Sequence, residues 1–271
     1  MLGREARATN SDEDVGSFND HGAATLRNAA IEFSVSLSQG RVVSRSFLNR
    51  DSGERFTLPV DEVALEYRDE GVDRPSDGRA EFRAHAGNRF ELRFHHRDME
   101  ARVAYYLPEG KHYLRKQVSL RCKDGSRRLL RADLENWSGV RRDWKSCQTH
   151  PRRATGKFGS HPIYSETVFA GVEFIVAFNE FDGEGFILRS RPGGIPVTAD
   201  WVALNPTVVG IARPGAVREA FLAYLEDVRA SPARLAKAAA VRSVTAKTGA
   251  RAVRGATAIV GPRRTRKEPP P

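Results

Sequence analysis

The stretch Ile31-Glu32-Phe33-Ser34-Val35-Ser36-Leu37-Ser38-Gln39-Gly40-Arg41-Val42-Val43 alternates apolar and polar residues with a period of two. Side chains on a strand point alternately to opposite faces, so Ile31, Phe33, Val35 and Leu37 share one face while Glu32 and three serines share the other. Gln39-Gly40 supplies a turn, and the pattern resumes at Val42. Half-buried antiparallel strands joined by a hairpin are the expectation.

Working outward, similar runs recur at Phe56–Leu58, Val63–Tyr67, Glu81–Ala84, Phe90–His95, Val103–Leu107, Lys116–Arg121 and Arg128–Asp133. Turn sequences separate them: Asp51-Ser52-Gly53, Ala86-Gly87-Asn88, Pro108-Glu109-Gly110 and Lys123-Asp124-Gly125. Residues 137–164, with Trp137, Trp144 and many basic positions, break the rhythm and predict a long loop or excursion from the sheet. Strands resume at Val168–Ala177, Gly185–Arg189 and Thr207–Ile211. After Pro214-Gly215, the stripe Val217, Phe221, Tyr224, Leu225 and Val228 has helical spacing. The fold expected is mainly β, a large antiparallel β-sandwich over 29–215, with a flexible leader at 1–28, a linker helix at 216–230 and a disordered basic tail at 231–271.

Two of the 271 residues are cysteines, and the formal net charge is +10. Residues 231–271 hold ten Lys or Arg against Glu268 alone, so the tail carries about nine of those charges and the first 230 residues are nearly neutral. A fold built to bind polyanions would carry the charge on its own surface, so nucleic acid is expected only as a non-specific partner of the tail. No window is apolar enough to span a membrane, and the acidic N-terminus lacks the features of a secretory signal, which together with two unpatterned thiols leads to a cytoplasmic reading. Whether Cys122 and Cys147 pair is left open by their positions.

No metal or cofactor is expected. His95 and His96 are adjacent on a strand and face opposite sides, and His85, Asp98, His112, His150 and His161 add no ligand spacing. Glu66, Glu135, Glu166, Glu173, Glu180, Asp182 and Glu184 form no convincing acid and nucleophile pair. Ser165 lacks the nucleophile-elbow sequence, and Thr245-Ala246-Lys247-Thr248-Gly249 lacks the phosphate-loop arrangement. The span 111–160 is the strongest candidate surface, with fourteen Lys or Arg against four acidic residues and with Tyr113, Trp137, Trp144 and Phe158 among them. Packing of the tryptophans, contact with sugar and contact with polyanions are all physically open to it.

A series of segments stands out: Tyr105-Tyr106-Leu107-Pro108-Glu109-Gly110-Lys111-His112-Tyr113-Leu114-Arg115-Lys116, Ala132-Asp133-Leu134-Glu135-Asn136-Trp137, Gly159-Ser160-His161-Pro162-Ile163-Tyr164, Phe169-Ala170-Gly171-Val172-Glu173-Phe174, Val208-Val209-Gly210 and Ala220-Phe221-Leu222-Ala223-Tyr224-Leu225. Together they resemble the amino-terminal β-supersandwich of bacterial alpha-galactosidase-like (melibiase-like) glycoside hydrolases. The resemblance covers about residues 30–230. It implies a sandwich that packs beside a catalytic barrel, with the catalytic carboxylates on that barrel. A barrel needs roughly 250 residues, and only about forty follow the helix. The resemblance therefore implies a non-catalytic, carbohydrate-associated accessory domain, from a truncated alpha-galactosidase-like protein, with Trp137, Trp144, Tyr164 and Glu173 as glycan or barrel-facing contacts. Its expected partners are an alpha-galactoside or other glycan, and a separate barrel or a second copy. A glycosidase component needing a barrel in trans, and an interaction protein working through its tail, are the alternatives. Loss of the barrel would expose a hydrophobic patch with aromatic residues from 137–164 or 217–225.

Overall fold

The computed structural model describes residues 17–19, 22–68, 70–84, 88–125, 127–146, 162–173 and 177–230. Residues 1–16 of the expected leader, the turn at 86–87, the part of the excursion at 147–161 and the tail at 231–271 lie outside the described residues. The chain divides into two compact units, Met1–Leu222 and Ala223–Pro271. All strands belong to the first.

In chain order the strands are β1 (Ser17–Asn19), β2 (Ala23–Arg27), β3 (Ile31–Ser38), β4 (Arg41–Asn49), β5 (Glu54–Leu58), β6 (Ala64–Tyr67), β7 (Gly71–Asp73), β8 (Arg79–Ala84), β9 (Arg89–His96) and β10 (Met99–Tyr106). They continue as β11 (Tyr113–Cys122), β12 (Arg128–Asn136), β13 (Lys145–Ser146), β14 (Ile163–Tyr164), β15 (Val168–Val172), β16 (Glu180–Asp182), β17 (Gly185–Ser190), β18 (Ile195–Pro196), β19 (Val202–Ala203) and β20 (Thr207–Ile211). Helix α1 (Val217–Ala230) follows. The strands form a five-stranded sheet β1-β2-β3-β4-β5, a nine-stranded sheet β13-β14-β15-β20-β11-β10-β9-β8 with β19 also on β11, and a six-stranded sheet β16-β17-β12-β6-β7 with β18 on β12. Every pairing is antiparallel among the named strands.

The decisive stretch behaves as its alternation dictates. Ile31, Phe33 and Val35 are buried, and β3 pairs with β4 through Gln39 and Gly40, which both have positive φ (51° and 73°). Two left-handed residues in succession suit the right-handed twist of a hairpin. Inward residues of all three sheets then join one buried cluster. Phe33 packs its ring 4.6 Å from that of Tyr105 on β10, which ties the five-stranded to the nine-stranded sheet. The result is a large antiparallel β-sandwich followed by a C-terminal helix.

Four expectations need correction or sharpening. The leader does not extend to residue 28, because β2 pairs along its whole length with β3 and buries Ala24 and Leu26. Such a short strand carries too few apolar residues to stand out until its partner covers it. In the excursion at 137–164, whose described residues are 137–146 and 162–164, residues 137–144 form a loop that stays packed on the sandwich. Trp137, Val140 and Trp144 are buried, and β13 and β14 return the chain as the edge of the nine-stranded sheet. The strand expected at Val168–Ala177 stops at Val172, where its partner β20 starts after Pro206 and a proline offers no N–H to extend the ladder. Ala177 instead bridges to Ser190. Finally, on α1 the aromatic residues are withdrawn: Tyr224 is buried and Phe221 half-buried, its ring edge-on to Phe169, so the exposed apolar residues of the helix are Leu222 and Leu225.

Candidate functional site

The residues singled out in the sequence divide. Trp137 is 1% exposed and sits in an aromatic cluster, 5.4 Å from Phe47, 5.3 Å from Phe56 and stacked 5.3 Å from Phe186. Trp144 meets Trp137 and Phe186 edge-on and donates its indole N–H to Val140 O at 2.8 Å. Neither indole offers a face to a ligand, which corrects their assignment as glycan contacts: a large apolar ring gains more from burial among other rings than from solvent. Tyr164, on β14, is half-buried. Glu173 follows β15 and takes a bidentate fork from Arg115 on β11, at 2.7 and 2.6 Å, so its carboxylate is held in a fixed plane. These four residues do not converge on one site.

The histidines separate as strand alternation requires. His95 lies on the outer face, 3.7 Å from Glu81 and 4.0 Å from Glu100, whereas His96 approaches Asp73 at 2.8 Å. Glu66, Glu173, Glu180 and Glu184 pair with four different arginines: Arg131, Arg115, Arg189 and Arg141. One group of sulfur and carboxylate donors does come together among the described residues, Asp98, Cys122 and Asp124, within 4.8 Å of one another. Burial and the hydrogen bonds to Asp124 and Asp98 push the Cys122 thiol up to about 11, and Arg127 supplies the local positive charge at 2.5 Å from Asp98. The thiol therefore stays protonated at neutral pH.

The interior holds an ionic square. Arg45 of β4 approaches Glu135 of β12 at 2.8 Å and Glu62 at 3.4 Å, and Lys116 of β11 approaches each of those glutamates at 3.1 Å. All four are buried. Burial disfavours the Glu135 carboxylate, but Lys116 and Arg45 outweigh it and hold the group below its usual value. Arg45 likewise overcomes its own desolvation through Glu62 and Glu135, and its other Nη donates to Pro59 O. Lys116 also lies 5.7 Å above the Tyr105 ring. Four side chains from distant sequence positions thus neutralise one another at the junction of the three sheets. Sequence reading placed Glu135 among the carboxylates but had no signal for its partners.

A second polar arrangement covers the outer face of the nine-stranded sheet. On β9, β10 and β11 the outward residues include Arg89, Glu91, Arg93, His95, Glu100, Arg102, Tyr106, Arg115 and Arg121, brought side by side by the pairings Arg93↔Arg102, Glu100↔Arg121 and Tyr106↔Arg115. Arg93 and Arg102 share Glu91, at 3.4 and 3.2 Å, and Arg121 takes Glu100 at 2.7 Å. Trp201, just before β19, is brought over this face because β19 pairs with β11 at Ser119 and Leu120. The Arg102 and Arg121 guanidinium carbons lie 4.2 and 4.7 Å from its ring centroid. Trp201 had no distinguishing neighbour in the chain. Only the strand pairing shows that it belongs with Arg102 and Arg121.

No family model matches this chain, and no curated protein matches it. Among solved structures, an overlay exists with one titled "Active YidC insertase crystal structure with the first transmembrane domain resolved", at a TM-score of 0.31 and 12% identity. It covers 80% of this chain and 46% of that one. Among the described residues no helix is long and apolar enough to cross a membrane.

Proposed function

We propose that this chain is a non-catalytic, carbohydrate-associated sandwich domain of the kind that its segments resemble in alpha-galactosidase-like glycoside hydrolases. The observation that carries the reading is the outer face of the nine-stranded sheet, where Trp201 rests on Arg102 and Arg121 beside carboxylates and a histidine. A planar aromatic wall flanked by directional donors and acceptors is what a sugar ring, with one apolar face and a rim of hydroxyls, requires.

The non-catalytic half rests on charge. The buried carboxylates Glu62, Glu91, Glu100, Asp133 and Glu135 each lie in an ion pair with Arg or Lys. Glycosidic bond cleavage needs one carboxyl held protonated near neutrality, whereas Lys116 and Arg45 hold Glu135 below its usual value. The full chain should not turn over an aryl alpha-galactoside. Turnover that disappears on substituting one or two carboxylates would overturn the assignment. Binding is read from the indole N–H signals in a nitrogen-edited NMR spectrum, where neutral galactosides should move the Trp201 resonance and leave those of buried Trp137 and Trp144 in place.

A further inference from the structure

The outer face at Trp201 is not electrically balanced. On β9, β10 and β11 it presents five arginines, Arg89, Arg93, Arg102, Arg115 and Arg121, against Glu91 and Glu100, with Glu173 reaching Arg115 as a third acid. Arg93 and Arg102 divide a single carboxylate between them. The imbalance is local, since the first 230 residues as a whole are almost neutral.

The same face carries two aromatic residues along one strand direction. Trp201 lies against Arg102, and Tyr106, four residues further along β10, is 45% exposed between Arg89 and Arg115 on the adjoining strands. Four residues of strand span about 13 Å. Between the two rings the outward positions are the small Ala104 and its cross-strand partner Gln117, whose amide is tied down to Leu204 O at 2.5 Å. Two aromatic residues that far apart, each beside arginines, give a strip long enough for more than one sugar unit.

We propose that this strip binds an acidic oligosaccharide, a glycan bearing carboxylates, with Trp201 and Tyr106 against its sugar rings and Arg93 and Arg102 as donors to its carboxylates. The proposal rests on the carbohydrate-associated reading and specifies its ligand. Guanidinium forks match carboxylates in shape as well as charge, and the groups here are held by strands on both sides, so little ordering is needed on binding. A nucleic acid would satisfy the charge as well, and a single-stranded oligonucleotide is therefore one arm of the test.

The test titrates the full chain with an oligogalacturonate, a neutral galacto-oligosaccharide and a single-stranded oligonucleotide, following the Trp201 indole signal and the affinity by calorimetry. The acidic sugar should shift the Trp201 signal, bind at least about tenfold more tightly than the neutral one, and lose about tenfold in Arg102→Gln and in Tyr106→Ala. Tyr106 is exposed and Arg102 half-buried, and an unchanged unfolding midpoint would show that the variants are intact. Equal binding of neutral and acidic sugars at Trp201 would sink the acidic specificity and leave the carbohydrate reading standing. No sugar binding at all would remove both. Oligonucleotide binding that moves Trp201 more strongly than the acidic sugar, or acidic-sugar binding insensitive to both substitutions, would also overturn the proposal, the latter by locating the contact elsewhere.

Discussion

Glu135 accepts charge from both Arg45 and Lys116, and its removal would leave two buried cations with Glu62 alone. Breaking one member of a buried ion network costs about 3–5 kcal/mol, because the desolvation already incurred is no longer compensated. Glu135→Gln should therefore lower the stability measured by urea unfolding at neutral pH by that amount. The pH dependence follows from the lowered carboxyl. Its contribution is complete above the usual 4.5 and is lost as pH falls through the lower folded value. Wild type should lose stability steadily into that acid range, and Glu135→Gln should show a shallower slope. A second residue-scale test concerns Gly210, where a Cβ would run into the Phe169 ring. Gly210→Ala should cost about 1–3 kcal/mol through forced displacement of that ring, read as a lower thermal midpoint.

At the scale of elements, Phe169 couples β15 and β20 to the start of α1. It covers Gly210 and meets Phe221 edge-on at 5.4 Å. Phe221→Ala removes this contact from the first turns of α1 and should fray them. Hydrogen exchange at residues 217–222 should accelerate while that of β10 and β11 stays protected, since the aromatic pair is worth about 0.5–1.5 kcal/mol beyond its buried area. The segment 137–146 shows how an element escapes sequence reading. Its basic residues and glycine left packing, sugar contact and polyanion contact all open, and in the fold Trp137 and Trp144 pull it into the core while Arg141 and Lys145 remain at the surface. Trp137→Ala should cost about 3–5 kcal/mol, the range for a large ring removed from a close-packed core, and calorimetric unfolding would measure it.

For the molecule as a whole, Cys122 is a reporter of opening. It is fully buried and its thiol is pushed up to about 11, so alkylation at neutral pH should be slow in the folded protein and should proceed at the rate at which the sandwich opens. Mass spectrometry of the labelled peptide distinguishes it from Cys147. Period-two alternation sufficed for the architecture: Ile31 to Val43, Phe90 to His95 and Lys116 to Arg121 each declare an inner and an outer face, and burial of the apolar face leaves few alternatives to an antiparallel sandwich. The helix after Gly215 was legible for the same reason, from its stripe. What lay beyond that reading is everything built from residues far apart in the chain. Arg45, Glu62, Lys116 and Glu135 meet because three sheets share one core, and Trp201 reaches Arg102 and Arg121 because β19 pairs with β11. Alternation states which way a side chain points. Which strand lies beside it, and so which charge or ring it meets, depends on pairing energies summed over the whole sandwich.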